Sequence, residues 1–240
     1  MIREERHARI LDYLEANKSA SVCQIAQALF TSESSVRRDL VTLEKSGLVQ
    51  RVWGGVILSK YQNSVVPLAL RESANSGEKE RIAAEAAALV KENMTILMDA
   101  SSTVHRMLRY LGHLRSLTVI TNDARAFSDA ELIPNARIYS TGGIYDRKNH
   151  AFVGAAAEAY LRTVHADLLF FSSQGISEDG EISDASEEET ALRRVMLERA
   201  DERIFLCDSS KIGLRRTFRL CSREDVSRIL CPVPLPWDEN

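Results

Sequence analysis

Clustered cysteines, paired histidines, long apolar runs and a one-sided charge are all missing from this 240-residue chain. The four cysteines (Cys23, Cys207, Cys221, Cys231) lie far apart with no Cys-x-x-Cys pair, which argues against a disulfide framework or a zinc site. Cys23 and Cys207 fall within apolar patterns and read as small buried residues. The histidines (His7, His105, His113, His150, His165) form no i,i+4 pair, so no metal centre and no cofactor are expected. No apolar run approaches the ~18 residues that would suggest a membrane span. The opening Met1-Ile2-Arg3-Glu4-Glu5-Arg6 has no apolar core of a signal peptide. A cytoplasmic protein with no membrane partner is therefore expected. With 45% hydrophobic and 27% charged residues, disordered and fibrous classes are poor fits.

Lys+Arg number 31 against 34 Asp+Glu, a net charge of -3 that seems to offer nucleic acid nothing. The charges are unevenly placed, however. Residues 1–60 hold nine Lys/Arg and seven acids, a balance of +2, which leaves -5 for the remainder. Two parts with different tasks are implied.

In the first part, Ile10, Leu11 and Leu14 place an apolar stripe on a helix over about residues 3–16. Ser21-Val22-Cys23-Gln24 fits a capping box. Val22, Ile25, Ala26 and Leu29 then mark one face of a second helix. Phe30-Thr31-Ser32 makes a turn, with Thr31 or Ser32 as the next cap. Val36, Leu40 and Leu43 give the buried face of a third helix over about 33–46, and Gly47 ends it.

At ~100° per residue, Ser34, Arg38, Val41 and Lys45 point away from that buried face, with Arg37 on the flank. The face is small, hydrogen-bonding and basic, suited to a major groove. The runs Leu48-Val49-Gln50-Arg51-Val52-Trp53 and Val56-Ile57-Leu58 read as a hairpin turned by Gly54-Gly55. Three helices and such a hairpin make a winged helix-turn-helix. Its candidate DNA-contacting residues are Ser32, Ser34, Ser35, Arg37, Arg38, Lys45, Arg51, Gly54 and Gly55. Asp39 is read as orienting an arginine rather than meeting phosphate, and Trp53 as a plug on the third helix.

Residues 34–55, Ser-Ser-Val-Arg-Arg-Asp-Leu through Arg51-Val52-Trp53-Gly54-Gly55, closely resemble the signature of DeoR-type bacterial transcriptional regulators. That pattern has Arg-Arg-Asp-Leu on the recognition helix and Arg-x-His-Gly-Gly in the wing, so Trp53 departs from it.

Residues 59–77 read as a linker. From Glu78 helical patterns (around residues 82–90, 104–111, 155–161 and 192–200) alternate with apolar runs read as strands at 95–98, 117–120, 136–139, 167–171, 204–206 and 226–230. Such alternation implies an α/β layer structure with a largely parallel sheet, whose strand ends should gather round one cleft. The expected organisation is a winged helix-turn-helix over 1–58, a linker, and an α/β effector-sensing and oligomerisation domain over 78–240. Candidate effector-binding residues are Asp99, Ser101, Ser102, Thr103, Thr121, Asn122, Gly142, Gly143 and Lys211. Residues 101–103 would open a helix whose free amides attract an anion, and Lys211 would add a point charge.

This half resembles the effector domain of the same family, similar in fold to ribose-5-phosphate isomerase. The resemblance spans about residues 3–230 and implies a sensor of a sugar or sugar-phosphate that forms homo-oligomers, dimer or tetramer, and binds operator double-stranded DNA, more often as a repressor. The departures are Ser101 for a loop glycine, Ser173, Gln174 and Ser177 after the strand at 167–171, and Leu230-Cys231-Pro232 for the usual Ile-Thr-Asp. The alternative is a sugar-phosphate isomerase-like enzyme with an accessory winged-helix domain. Isomerisation needs a positioned general base; Gln174 cannot serve, Ser177 is a poor substitute, and Asp99, Glu189 and Asp208 remain candidates that read equally as loop braces. A winged helix that binds a protein partner is the third reading, opposed by the basic face of Arg38 and Lys45.

Overall fold

The computed structural model describes residues 3–45, 48–52, 55–58 and 68–238. The chain divides into two compact units, Met1–Asn75 and Ser76–Asn240.

The first unit contains helices α1 (Arg3–Asn17), α2 (Val22–Ala28) and α3 (Glu33–Lys45), and strands β1 (Ser19–Ala20), β2 (Val49–Val52) and β3 (Gly55–Leu58). The strands form one antiparallel sheet in the order β1-β3-β2. The capping box forms as the sequence expects: Gln24 donates its amide to Ser21 Oγ at 3.1 Å, and Ser21 donates to Gln24 Oε1 at 2.8 Å. Ile10, Leu14, Ile25, Val36, Leu40, Leu43, Val49, Val56 and Leu58 close a single core.

The hairpin differs from the expected one. Val52 pairs with Gly55 and Arg51 with Val56, so Gly55 belongs to β3 rather than to the turn. A Gly54-Gly55 turn would shift the register by two residues and set Arg51 opposite Leu58 instead of Val56; a two-residue shift keeps every side chain on its own face, so the apolar alternation alone does not choose between the two registers. Gly47, Trp53 and Gly54 lie outside the described residues, as does most of the expected linker. Its end is helical: α4 covers Leu68–Ser73 and α5 begins at Ser76. Leu68, Arg71 and Ala74 recur at helical spacing and are buried, a pattern that the polar Ser and Asn residues around it obscure. Cys23, expected to be buried, is exposed on α2, because the core takes its neighbours Ile25 and Ala26 instead.

The second unit is a parallel sheet of six strands: β4 (Thr95–Met98), β5 (Leu117–Thr121), β6 (Ala136–Ser140), β9 (Ala166–Phe171), β12 (Ala200–Leu206) and β14 (Arg228–Leu230), in the order β14-β12-β9-β4-β5-β6. Helices α5 (Ser76–Ala87), α6 (Ser102–His105) and α7 (Leu108–Leu111) supply the core on one face. On the other face lie α9 (Ala155–Leu161), α10 (Glu187–Glu198) and a small antiparallel sheet of β10 (Gly175–Ile176), β11 (Glu181–Asp184) and β13 (Phe218–Ser222). Alternate residues of each central strand enter opposite cores, Ile96 and Phe170 on one side, Leu97 and Phe171 on the other. Burial on both faces is why these strands read as continuous apolar runs. The helix α8 (Arg125–Ser128) and the hairpin of β7 (Ile144–Asp146) and β8 (Ala151–Val153) complete the unit.

Candidate functional sites

The exposed side of α3 meets the wing across a groove of about 590 Å³, lined by Arg37, Arg38, Val41, Arg51 and Gly55 together with Ser21 to Cys23 of α2. Ser32 caps α3, accepting the Ser35 amide at 3.3 Å, and its hydroxyl lies 3.0 Å from Ser34 Oγ and 2.9 Å from Ser35 Oγ. Three hydroxyls are thus gathered at the end of the helix that would point at base edges.

The cations differ in how they are held. Arg37 pairs with Glu33 at 3.1 Å, and Arg51 pairs with Glu44 at 3.3 Å while donating to the Arg37 carbonyl. Both pairs are solvent-exposed, worth ~0–1 kcal/mol each, so phosphate can displace the carboxylates cheaply. Arg38 has no ion pair among the described residues and only touches Ser35 Oγ at 3.4 Å. Lys45, at the last turn, is exposed. The structure therefore brings Arg37, Arg38, Arg51 and Gly55 together along one groove; Gly54 lies outside the described residues.

Asp39 does orient an arginine, but one far away in sequence. It is buried and takes both the Nε and the Nη2 of Arg6 from α1, with His7 Nε2 at 3.2 Å. Burial pushes the Asp39 carboxyl up, and the Arg6 and His7 bonds outweigh it, so its pKa sits below the usual value. A depressed folded-state pKa contributes stability above the unfolded pKa of ~4, lost as pH falls through the lower folded value. Asp39→Asn should therefore flatten the acid limb of the first unit's stability curve below about pH 4, as read by urea melts at stepped pH.

Phe30 is a residue whose importance the sequence alone does not reveal. It is 97% exposed, with φ at +50°. A left-handed non-glycine residue costs ~1–2 kcal/mol. Backbone bonds from Phe30 to the Gln27 carbonyl and from Thr31 to the Ala26 carbonyl hold the turn in this state. Phe30→Gly should relieve the strain and, after the entropy lost by a freer unfolded chain, stabilise the unit by ~0.5–1 kcal/mol. Chemical denaturation of the two proteins measures it.

In the second unit the sheet order reverses between β4 and β9, so the strand ends carrying Asp99 and Ser172 flank a topological switch point. Asp99 is 1% exposed and fully engaged: Oδ1 accepts the Ser101 amide at 3.0 Å, and Oδ2 accepts the Ser172 amide at 3.2 Å and Arg193 Nε at 2.7 Å. It holds both flanking loops. Arg193 also bonds Asp184 at 2.9 Å and Glu189 at 3.1 Å. Burial would lower its pKa, and the three carboxylates more than reverse that, so it stays charged.

Ser101 caps α6 through the Val104 amide. This helix is a single turn, so its dipole is weaker than that of a longer helix. Thr121 also braces the fold, donating to the Met98 carbonyl at 2.7 Å and accepting from the Asp123 amide at 3.0 Å. Gly142 and Gly143 both take positive φ, and a Cβ at Gly143 would meet the Val153 carbonyl at 2.6 Å.

Two other groups here are buried with an atom that lacks a hydrogen-bond partner among the described residues. Asn122 donates Nδ2 to the Phe152 carbonyl at 3.1 Å, which fixes its orientation and leaves Oδ1 buried with no partner among the described residues. Gln174, 5% exposed, has an amide nitrogen in the same state. Lys211 Nζ stands 4.0 Å from Asp208 Oδ2, and Lys79 Nζ 3.9 Å from the same oxygen. Lys79 was not among the candidates. Its signal was available: it lies three and four residues before Ile82 and Ala83, on the buried stripe of α5. Ser102 and Thr103 are buried nearby on α6, which packs against α5.

Two family models match: the DeoR-like helix-turn-helix domain over residues 6–62 and the DeoR C terminal sensor domain over residues 74–231. The chain is 35% identical to the HTH-type transcriptional regulator YulB of Bacillus subtilis over 96% of this chain and 89% of that one. It is 33% identical to the HTH-type transcriptional regulator GolR of Listeria innocua (94% and 89% covered) and 32% identical to the HTH-type transcriptional repressor GlcR of Bacillus subtilis (96% and 88% covered). Among solved structures, ribose 5-phosphate isomerase A of Methanocaldococcus jannaschii is similar with a TM-score of 0.43 at 20% identity, over 58% of this chain and 55% of that one.

Proposed function

Because the chain belongs to the DeoR family of helix-turn-helix transcriptional regulators, we propose that it represses transcription from an operator, and that a sugar phosphate at the β4/β9 switch point releases it. The observation that carries the DNA half of this reading is Arg38, which makes no ion pair among the described residues, beside the serine cluster and on the groove that Arg37 and Arg51 line. The recognition helix α3 enters the major groove, and Arg51 meets phosphate from the wing. Operators are commonly read as paired half-sites, so the regulator acts as an even-numbered homo-oligomer.

The effector's phosphate lies by Lys79, Lys211 and the loop of residues 101–103. Its hydroxyls satisfy Asn122 Oδ1, which needs a donor, and the Gln174 amide, which needs an acceptor. The ligand shifts DNA affinity by binding one arrangement of the protein better than another. Catalysis is not part of this reading: Asp99 is held by three donors and Glu189 by Arg193, so neither is available as the base an isomerase needs.

A thermal-shift screen of pentose and hexose phosphates, the matching free sugars and orthophosphate tests it. One phosphorylated sugar should raise the melting temperature of the second unit, and Lys211→Ala should weaken that response. Equal response to the free sugar removes the phosphate from the proposal. Turnover of any compound overturns the non-catalytic reading.

A further inference from the structure

The ends of β12 and β14 carry a feature that DNA binding and effector sensing do not use. These strands are parallel neighbours, with Leu206 beside Leu230, and Cys207 donates its amide to the Leu230 carbonyl at 2.9 Å. Cys207 and Cys231 are therefore the next residues along two paired strands, and both side chains enter the same core, away from Leu206 and Leu230. Adjacent strands lie ~4.8 Å apart, within the ~4.4–6.8 Å between Cα atoms that a disulfide spans. The other two cysteines are placed differently. Cys23 lies on α2 in the other unit, and Cys221 is buried on β13, its thiol pushed up to about 12 chiefly by burial.

We propose that Cys207 and Cys231 form an oxidisable dithiol, closed to an intramolecular disulfide by a peroxide. β14 is the edge strand, and Cys231 at its end is partly exposed, whereas Cys207 is fully buried. Cys231 is thus the sulfur an oxidant reaches first. The contact between the thiols lowers the Cys231 pKa and raises that of Cys207, which favours the thiolate on the accessible member. The Cys231 thiolate attacks one peroxide oxygen, giving a sulfenic acid and hydroxide. The Cys207 thiol then attacks the sulfenic sulfur, forming the S–S bond and releasing water. Two electrons and two protons leave the thiols, and hydrogen peroxide ends as two waters. Cys207 leads directly into Asp208 and the 3-10 turn Ser209–Lys211, so the bond forms at the root of the loop that carries Lys211.

Full-length protein carrying Cys23→Ser, which removes the exposed thiol as a route to links between copies, is treated with hydrogen peroxide, alkylated with iodoacetamide and digested with trypsin. The expected product is peptide 204–211 joined to peptide 229–240, two hydrogen atoms lighter than their sum and split by dithiothreitol. In a Cys207→Ser protein, Cys231 should stop at the sulfenic acid and take up dimedone. Recovery of both cysteines as alkylated thiols, a bond joining two copies, or Cys231 oxidised to sulfinic acid with Cys207 still free would each overturn the proposal.

Discussion

Replacing Arg193 by leucine should unfold the second unit or destabilise it by ~3–5 kcal/mol, the cost of breaking a buried ion pair on one side. The reason lies in what remains. Asp99, Asp184 and Glu189 are 1%, 1% and 4% exposed, and all three share the one guanidinium. Without it, three buried carboxylates face one another and must take up protons or admit water. Arg193→Lys is no rescue, because a single ammonium cannot reproduce a planar fork reaching three partners. Asp99 also ties the loops after β4 and β9 together through the Ser101 and Ser172 amides, so any folded remnant should have lost its response to sugar phosphates. Urea denaturation followed by circular dichroism reads the first effect, and thermal shift the second.

Arg38→Ala should act on binding alone. Arg38 is exposed, and its side chain's one hydrogen bond among the described residues is the long contact to Ser35. Stability should therefore change by less than ~0.5 kcal/mol. A bidentate arginine contact to guanine contributes ~1–3 kcal/mol, so affinity for a specific duplex should fall about 5- to 150-fold, with relaxed discrimination at the base pair it meets. Asp39→Ala should show the opposite division. It breaks the buried link between α1 and α3 and loses stability first, with DNA binding following from the misplaced helix. Fluorescence anisotropy beside thermal melts separates the two cases.

The parts of this fold that sequence makes legible are those set by local chemistry. The capping box needs four consecutive residues, and α3 needs only Val36, Leu40 and Leu43 at helical spacing. The central strands reveal themselves because burial on both faces leaves short runs that are mostly apolar, such as Ile96-Leu97-Met98 and Leu168-Leu169-Phe170-Phe171. Strand order is not legible, since nothing in residues 166–171 says that β9 lies beside β4. The small antiparallel sheet escapes notice because β10 has two residues and β11 four, too short for a period to register. At the sites the same division holds. The basic face of α3 follows from helical geometry, and the strand-end loops from the parallel sheet. The partner of Asp99 sits 94 positions away and that of Asp39 33 positions away, so the bracing roles can be read from sequence but their partners, Arg193 and Arg6, only from the folded chain. Asp99 and Thr121 likewise make bonds to residues distant in sequence, Arg193, Ser172 and Met98.

The central claim, that the +2 head of a -5 body reads DNA under control of a sugar phosphate, comes down to one titration. Full-length protein is added to a labelled duplex from the DNA upstream of its own coding sequence, at salt from about 50 to 200 mM, with and without the sugar phosphate found by thermal shift. The account predicts saturable binding whose log affinity falls linearly with log salt, by about 0.9 per phosphate neutralised, and weakens further when the ligand is present. Binding that is absent at the lowest salt, or indifferent to both salt and ligand, would contradict it.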